Sequence, residues 1–303
     1  MSFETDLLID RRRLKRRLFF WRMATVVVVV AAIGIAVGRR LPHDHVARLA
    51  VTGPISDTTK EIKALEAMAN DPRAGALIVN IASPGGGVFA SQALYEAIAK
   101  VAEKKPVVAV MGSTAASGGF MVAMAARRIY ANPTTLTGSI GVILQTPEFS
   151  GLMAKLGVTT DIVASGPLKD QPNPTHPLSP QGRAELQAVV TDLYDQFVSI
   201  VAKGRHMDEA RVRAVADGRV FTGRQALELG MVDALGDESD ARSWLVTQGI
   251  PKQWRVEDLR LRSRTDNMLS SVMSPVGDLL KTVLYQGLVL DAAQALWHPS
   301  ASD

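Results

Sequence analysis

The stretch "VNIASPGGGVFASQALYEA", residues 79–97, decides the fold. An apolar run ends at Ala82, Gly85, Gly86 and Gly87 follow, and a helix-like pattern begins at Phe89. Glycine costs about 0.5–1 kcal/mol wherever regular structure has to be held. Three in a row therefore serve a turn, or expose backbone N–H groups to something. Upstream, "AGALIVNIA" (74–82) is continuously apolar rather than alternating, the pattern of a strand buried on both faces. Downstream come the helix "FASQALYEAIAKVAEK" (89–104) and a second apolar run, "PVVAVMGS" (106–113). Two such strands joined through one helix form a βαβ unit with parallel strands.

The same alternation continues on both sides. "HVARLAVTGPI" (45–55) reads as a strand ending at Gly53-Pro54, and "TTKEIKALEAMANDP" (58–72) as a helix with a Thr cap and Ile62, Leu65 and Ala69 on one face. "TAASGGFMVAMAA" (114–126) repeats the strand-turn-helix junction, and short strands are expected at "RRIYANP" (127–133) and "GSIGVIL" (138–144). The expected architecture is α/β, a parallel sheet with βα repeats covered on both faces. Residues 165–180 hold five prolines in sixteen positions, which excludes regular structure. A long amphipathic helix is expected over 183–206, and shorter ones over 208–217 and 222–230, the last capped by Thr222 and ended by Gly230. The tail 267–303 is rich in Leu, Val and Met. It reads either as a terminal helix packed on the domain or as an oligomer or membrane-surface contact.

Charge separates the chain into an arm and a body. The net charge of +4 hides a split: residues 1–40 hold nine Lys/Arg against three acids, and the remainder is slightly acidic. That removes the basis for nucleic-acid binding by the body. From Leu18 to Gly38 only Arg22 interrupts an apolar run, long enough as a helix to span the roughly 30 Å hydrocarbon core. Arg22 lies within one turn of the end, where its side chain can snorkel. Six basic residues in 11–17 outnumber Arg39 and Arg40, so the positive-inside rule leaves a cytoplasmic basic segment at 1–17 and exports the chain beyond the anchor at 18–38. Gly38-Arg39-Arg40 offers no small-x-small cleavage site, which favours a retained anchor over a signal peptide. The expected organisation is then a 45–245 domain and a 246–303 extension. With no cysteine, the chain has no disulfide, thiol nucleophile or zinc-cysteine site.

Both glycine-rich junctions put free N–H groups where a helix starts, a place that stabilises an anion or a developing oxyanion. Ser117, on the turn of "AASGG", is either a helix cap or a nucleophile between them. A serine nucleophile needs a base. His43, His45, His206 and His298 lie in no context that would orient a triad, although His176 stays open. A lysine amine has an ordinary pKa of about 10.4, and acting near neutrality takes about 4.6 kcal/mol of desolvation and positive potential. Lys169, after Pro167 and Leu168, is a candidate, or else a surface residue; Lys100, Lys104 and Lys105 read as a solvated helix end.

"SPGGGV", "GSTAASGGF", "TGSIGV", "GPLKD" and "ADGRVFTGRQALELGMVDALGD", in this order, resemble the signal peptide peptidase A family of membrane-bound serine peptidases, the protease IV group. The resemblance covers about 46–240. It implies a ClpP/crotonase type of fold and a Ser/Lys dyad, whose motif positions fall on Ser117 and Lys169. It also implies an oxyanion hole from the N–H groups of Gly86 and Gly118, with Ser139 hydrogen-bonding the lysine. Short members of the family share active sites between neighbouring protomers of a ring-like homo-oligomer. Their substrates are cleaved signal peptides left in the membrane, and their chemistry calls for no cofactor and no metal. A bacterial inner-membrane protein with its catalytic domain on the periplasmic side is expected. The segment after the lysine, "KDQPNPTHPLSP", departs from the commoner pattern by two prolines and a histidine, which bears on substrate contacts. Two rivals are a non-catalytic anchored scaffold and a hydratase-like acyl-CoA enzyme. The second would need carboxylates as acid and base, and no Glu or Asp stands at either turn.

Overall fold

The computed structural model describes residues 20–24, 27, 28, 44–259 and 261. Of the anchor expected over 18–38, residues 20–24, 27 and 28 are helical and the rest lies outside the described residues. Among the described residues no helix is long and apolar enough to cross a membrane. The unit from His45 onward is separate from the unit before it.

That unit begins with the expected alternation: β1 (His45–Thr52), α1 (Thr59–Asn70), β2 (Ala74–Ser83), α2 (Val88–Ala102), β3 (Val107–Ala116) and α3 (Gly118–Ala123). β1, β2 and β3 pair in parallel, with Leu49 opposite Val79 and Val79 opposite Ala109. Both faces of β2 are buried, which is why its sequence does not alternate. Leu77, Val79 and Ile81 pack into a large core with Leu65, Leu94 and Phe120; Ala76 and Ile78 face a smaller core with Val108 and Val110. The smaller core is closed by α8 (Glu238–Thr247) through Ala241 and Leu245. Glu238 ties that helix to the sheet, accepting from Asn80 Nδ2 at 2.7 Å and from Arg48 Nη1 at 3.2 Å.

β3 serves two neighbours in turn. Its first half pairs with β4 (Arg128–Ala131), which pairs onward with β7 (Ala234–Leu235); its second half pairs with β5 (Leu136–Gly138). Thr135, fully buried, stands at the fork, its Oγ1 donating to the Gly112 carbonyl at 2.6 Å. β5 pairs antiparallel with β6 (Val220–Thr222), while the other strand pairs are parallel. Between β5 and β6 the chain carries α4 (Ser150–Lys155), α5 (Pro180–Arg205) and α6 (Glu209–Arg213). α5 returns to the large core through Phe197, Val198 and Val201. α7 (Gly223–Glu228) starts in a reciprocal cap of Thr222 and Gln225 and is closed by Gly230 at φ +74°, both as expected.

Several expectations need correction. The strand expected over 138–144 stops at Gly138, because Gly138 and Ser139 turn the chain with φ of +79° and +50°. Thr58 makes no cap; its Oγ1 reaches the Ala90 carbonyl at 3.4 Å, and Asp57 accepts from the Thr59 N–H instead. Lys105 is not a solvated helix end. Its Nζ donates to the carbonyls of Met68, Asp71 and Ala74 at 2.5–2.8 Å, closing the chain that leaves α1. Finally, the sheet runs past residue 245: β8 (Arg255–Asp258) pairs in parallel with β1, so the start of the supposed extension belongs to the domain. The tail 267–303 lies outside the described residues.

Candidate active site

Ser117 leaves the end of β3 with φ +51° and ψ −120°, a backbone region that non-glycine residues occupy at a cost of about 1–3 kcal/mol. Surrounding structure holds it there. Its N–H donates to the Gly138 carbonyl at 2.9 Å, and its carbonyl accepts from Met121 at 2.9 Å. The hydroxyl of this half-buried serine makes no cap bond to α3. Of the two readings of Ser117, the helix cap is not the one the fold uses.

Against this turn lies the glycine turn after β2. Gly85 has φ +102°, and a Cβ placed on it would stand 2.7 Å from the Gly118 nitrogen and 2.8 Å from the Ser117 Cβ. Gly86 lies on Ile55: a Cβ there would be 2.0 Å from the Ile55 carbonyl oxygen, which accepts from the Gly87 N–H at 2.8 Å. Ser83, fully buried, fixes the entry by accepting from the Gly85 N–H at 3.1 Å. Gly118 and Gly119 are equally confined, by Ser91 and by the Ser83 carbonyl. Neither the Gly86 N–H nor the Gly118 N–H donates to another described residue. The two packed turns thus carry two amides and one hydroxyl uncommitted among the described residues, which is the equipment for holding an oxyanion during acyl transfer.

Ser139 stands beside this turn. Ala116 and Gly138 are register partners, so Ser117 and Ser139 are the next residues on adjacent strands, both with left-handed backbone. The Ser139 N–H donates to the Arg219 carbonyl at 2.8 Å and the Gly218 N–H to the Ile140 carbonyl at 3.1 Å. Asp217, hydrogen-bonded by the side chain and backbone N–H of Arg219, is held down at about 2.

Lys169 lies in the proline-rich loop and shares no hydrogen bond with Ser117 among the described residues. It is exposed, in a turn closed by its own N–H to the Gly166 carbonyl at 3.2 Å, and its amine bonds no described residue. The proline-rich loop is ordered by its own polar groups: Asn173 Nδ2 donates to both Asp170 oxygens at 2.8 Å. His176 Nε2 lies 3.0 Å from Thr160 Oγ1. The preceding segment leaves large apolar side chains in solvent, among them Ile143 (87% exposed), Phe149, Leu152 and Val163 (99%). Sequence reading missed Ser83 and Ser91, whose positions in a strand end and a helix carry no signal of their own.

The sequence profile of peptidase family S49 matches residues 99–249, and that of Clp protease matches 45–137. A Synechocystis sp. chain provisionally named a protease is 46% identical over 204 residues, covering 67% of this chain and 73% of its own length. A chain named as signal peptide peptidase SppA from Enterococcus faecium is 37% identical, over 66% of this chain and 62% of its own. Protease 4 of Salmonella typhi is 35% identical over 72% of this chain, but the match spans only 36% of that longer protein. On these grounds the chain belongs to peptidase family S49 and is a serine peptidase.

Proposed function

We propose that the protein is a membrane-anchored endopeptidase that degrades cleaved signal peptides by acyl transfer, with Ser117 as nucleophile and Lys169 as its base. The observation that carries this reading is the Ser117 turn: a strained serine, free of capping, packed against a second glycine turn with two N–H groups uncommitted. The Ser117 hydroxyl attacks the peptide carbonyl while neutral Lys169 takes its proton. The N–H groups of Gly86 and Gly118 hold the tetrahedral oxyanion, and the proton passes to the leaving amine. Water then releases the acyl-enzyme with the lysine acting again as base. In this reading Ser139, the residue after Gly138 on the strand beside Ser117, hydrogen-bonds the lysine.

Lys169 is exposed on a segment whose apolar side chains lack cover, so the desolvation its role needs is supplied by a neighbouring copy in a homo-oligomer with shared sites. The apolar arm before residue 44 keeps the N-terminus cytoplasmic and places the domain on the periplasmic side of the inner membrane, where signal peptides remain. The name of the Enterococcus faecium relative supports that substrate class.

The test is direct. Detergent-solubilised Ser117→Ala and Lys169→Ala variants are each expected to lose cleavage of a fluorogenic peptide, while a mixture of the two regains part of it. Full activity in either variant would remove the dyad. An inactive mixture that exchanges subunits, shown by mass measurement, would remove the sharing.

A further inference from the structure

Ser91 is fully buried in α2, and its Oγ has no hydrogen-bond partner among the described residues. A serine inside a helix normally has one within reach, the carbonyl four residues back. Here that carbonyl, of Gly87, accepts the Ser91 N–H at 3.0 Å, and the hydroxyl does not share it. The Oγ lies instead against Gly118: a Cβ placed on Gly118 would fall 2.1 Å from it and 2.9 Å from the Ser91 Cβ. Alanine would remove an unsatisfied buried group, normally a gain in stability. Buried polar atoms left without partners are uncommon and gather where function constrains the fold. The other such atom among the described residues, Asn80 Oδ1, belongs to a side chain already bonded to Glu238.

We infer that Ser91 is a positioning residue for the reaction: its Oγ is the floor on which Gly118 is seated, and it fixes the direction of the Gly118 N–H. The inference rests on the reading of Gly118 as an oxyanion donor. Ser91 Oγ occupies the space a Cβ on Gly118 would need, and the Gly118 nitrogen bounds at 2.7 Å the space a Cβ on Gly85 would need, so the Gly118 backbone is seated between two close approaches that only glycine allows. Removing the Oγ lets Gly118 sink toward α2. The amide then withdraws from where the oxyanion forms, and small displacements of that kind are costly in rate because the donor must meet a narrow geometry.

Two substitutions separate positioning from packing. Ser91→Ala keeps the volume nearly unchanged and deletes the Oγ; Ser91→Thr keeps the Oγ and crowds a buried site with a methyl group. With the full-length protein in detergent, Ser91→Ala is expected to melt at or above the wild-type temperature. It should also lose about 10- to 100-fold in kcat, with KM within about twofold. Ser91→Thr is expected to melt lower and to retain the larger share of kcat, so that activity follows the oxygen and not the stability. The inference is overturned if kcat follows the melting temperature instead, with Ala as active as wild type and Thr impaired. A Ser91→Ala protein that does not fold would equally overturn it, since the hydroxyl would then hold the core. Ser117→Ala measured alongside distinguishes the failures: activity there would defeat the reading of the whole site, whereas an inactive Ser117→Ala beside a fully active Ser91→Ala defeats only the role of Ser91.

Discussion

Replacing Gly85 by alanine tests the contact between the two glycine turns. At φ +102° any side chain meets backbone strain of about 1–2 kcal/mol. The new Cβ would also lie 2.7 Å from the Gly118 nitrogen, 2.8 Å from the Ser117 Cβ and 3.0 Å from the Ala116 carbonyl oxygen, none of which is the free end of a flexible side chain. Overpacking of this kind costs about 1–3 kcal/mol. The total is about 2–5 kcal/mol. Gly53 supplies the control, since it has φ +72° but no atom of the described residues within 4 Å of its Cβ position. Gly53→Ala therefore meets the backbone term alone, about 1–2 kcal/mol. Urea unfolding of the two variants should differ by the packing term, and fluorogenic-peptide kinetics should separate them further. Gly85→Ala pushes directly on Gly118 and is expected to lose about 10²–10³ in kcat, the usual loss of one oxyanion donor. Gly53→Ala should keep kcat within about twofold. Equal stabilities and equal kcat values for the two variants would refute the close approach on which the site is built.

Two other outcomes concern ion pairs of the domain. Asp233 accepts from Arg205 at 2.7 Å and from the Ile129 N–H at 2.7 Å, joining the end of α5 to β4, and the Arg205 side chain is only 9% exposed. Asp233→Ala leaves the charge of that guanidinium unpaired, with its Nε still on the Gly230 carbonyl at 2.9 Å, and is expected to cost about 3 kcal/mol in urea unfolding; a loss below about 1 kcal/mol would show the pair to be ornamental. Asp217 is held at about 2 against an ordinary 3.8, so its pairing with Arg219 is present above pH 4 and is lost as pH falls through about 2. Amide shifts of Gly218 and Ser139 should titrate with that low midpoint and move up in Arg219→Ala. A wild-type midpoint at the ordinary carboxylate value contradicts the pairing.

What the sequence makes legible is whatever a long run of residues specifies together. β2 and β3 announce themselves because both faces of each are buried, and the glycines between β2 and α2 because nothing else fits between Ile55, Ser117 and Gly118. Short elements are another matter. β5 has three residues, and the apolar "IGVIL" after it suggests a longer strand, but a left-handed pair at Gly138 and Ser139 ends it and Ile143 turns to solvent. Lys105 looks like a surface lysine until the fold places three carbonyls around its amine. The same limit governs the site. Ser117 and its glycines are local in sequence and readable there, whereas the relation of Lys169 to Ser117 depends on how distant segments are arranged, which spacing along a chain does not encode.

The pairing of β5 with β6 has a consequence for how such chains can diversify. Because Gly138 lies opposite Val220 and Ser139 bonds Arg219, the excursion from 139 to 219 leaves and re-enters the sheet at a single clasp beside the serine. Residues can be added to or removed from its outer part, between the clasp and the start of α5, without altering any strand register. Such changes would reset the reach of the loop that carries Lys169 while Ser117 stays where it is. Natural or engineered length variants of this domain should therefore collect their insertions there, as interchangeable arms on an unaltered hub.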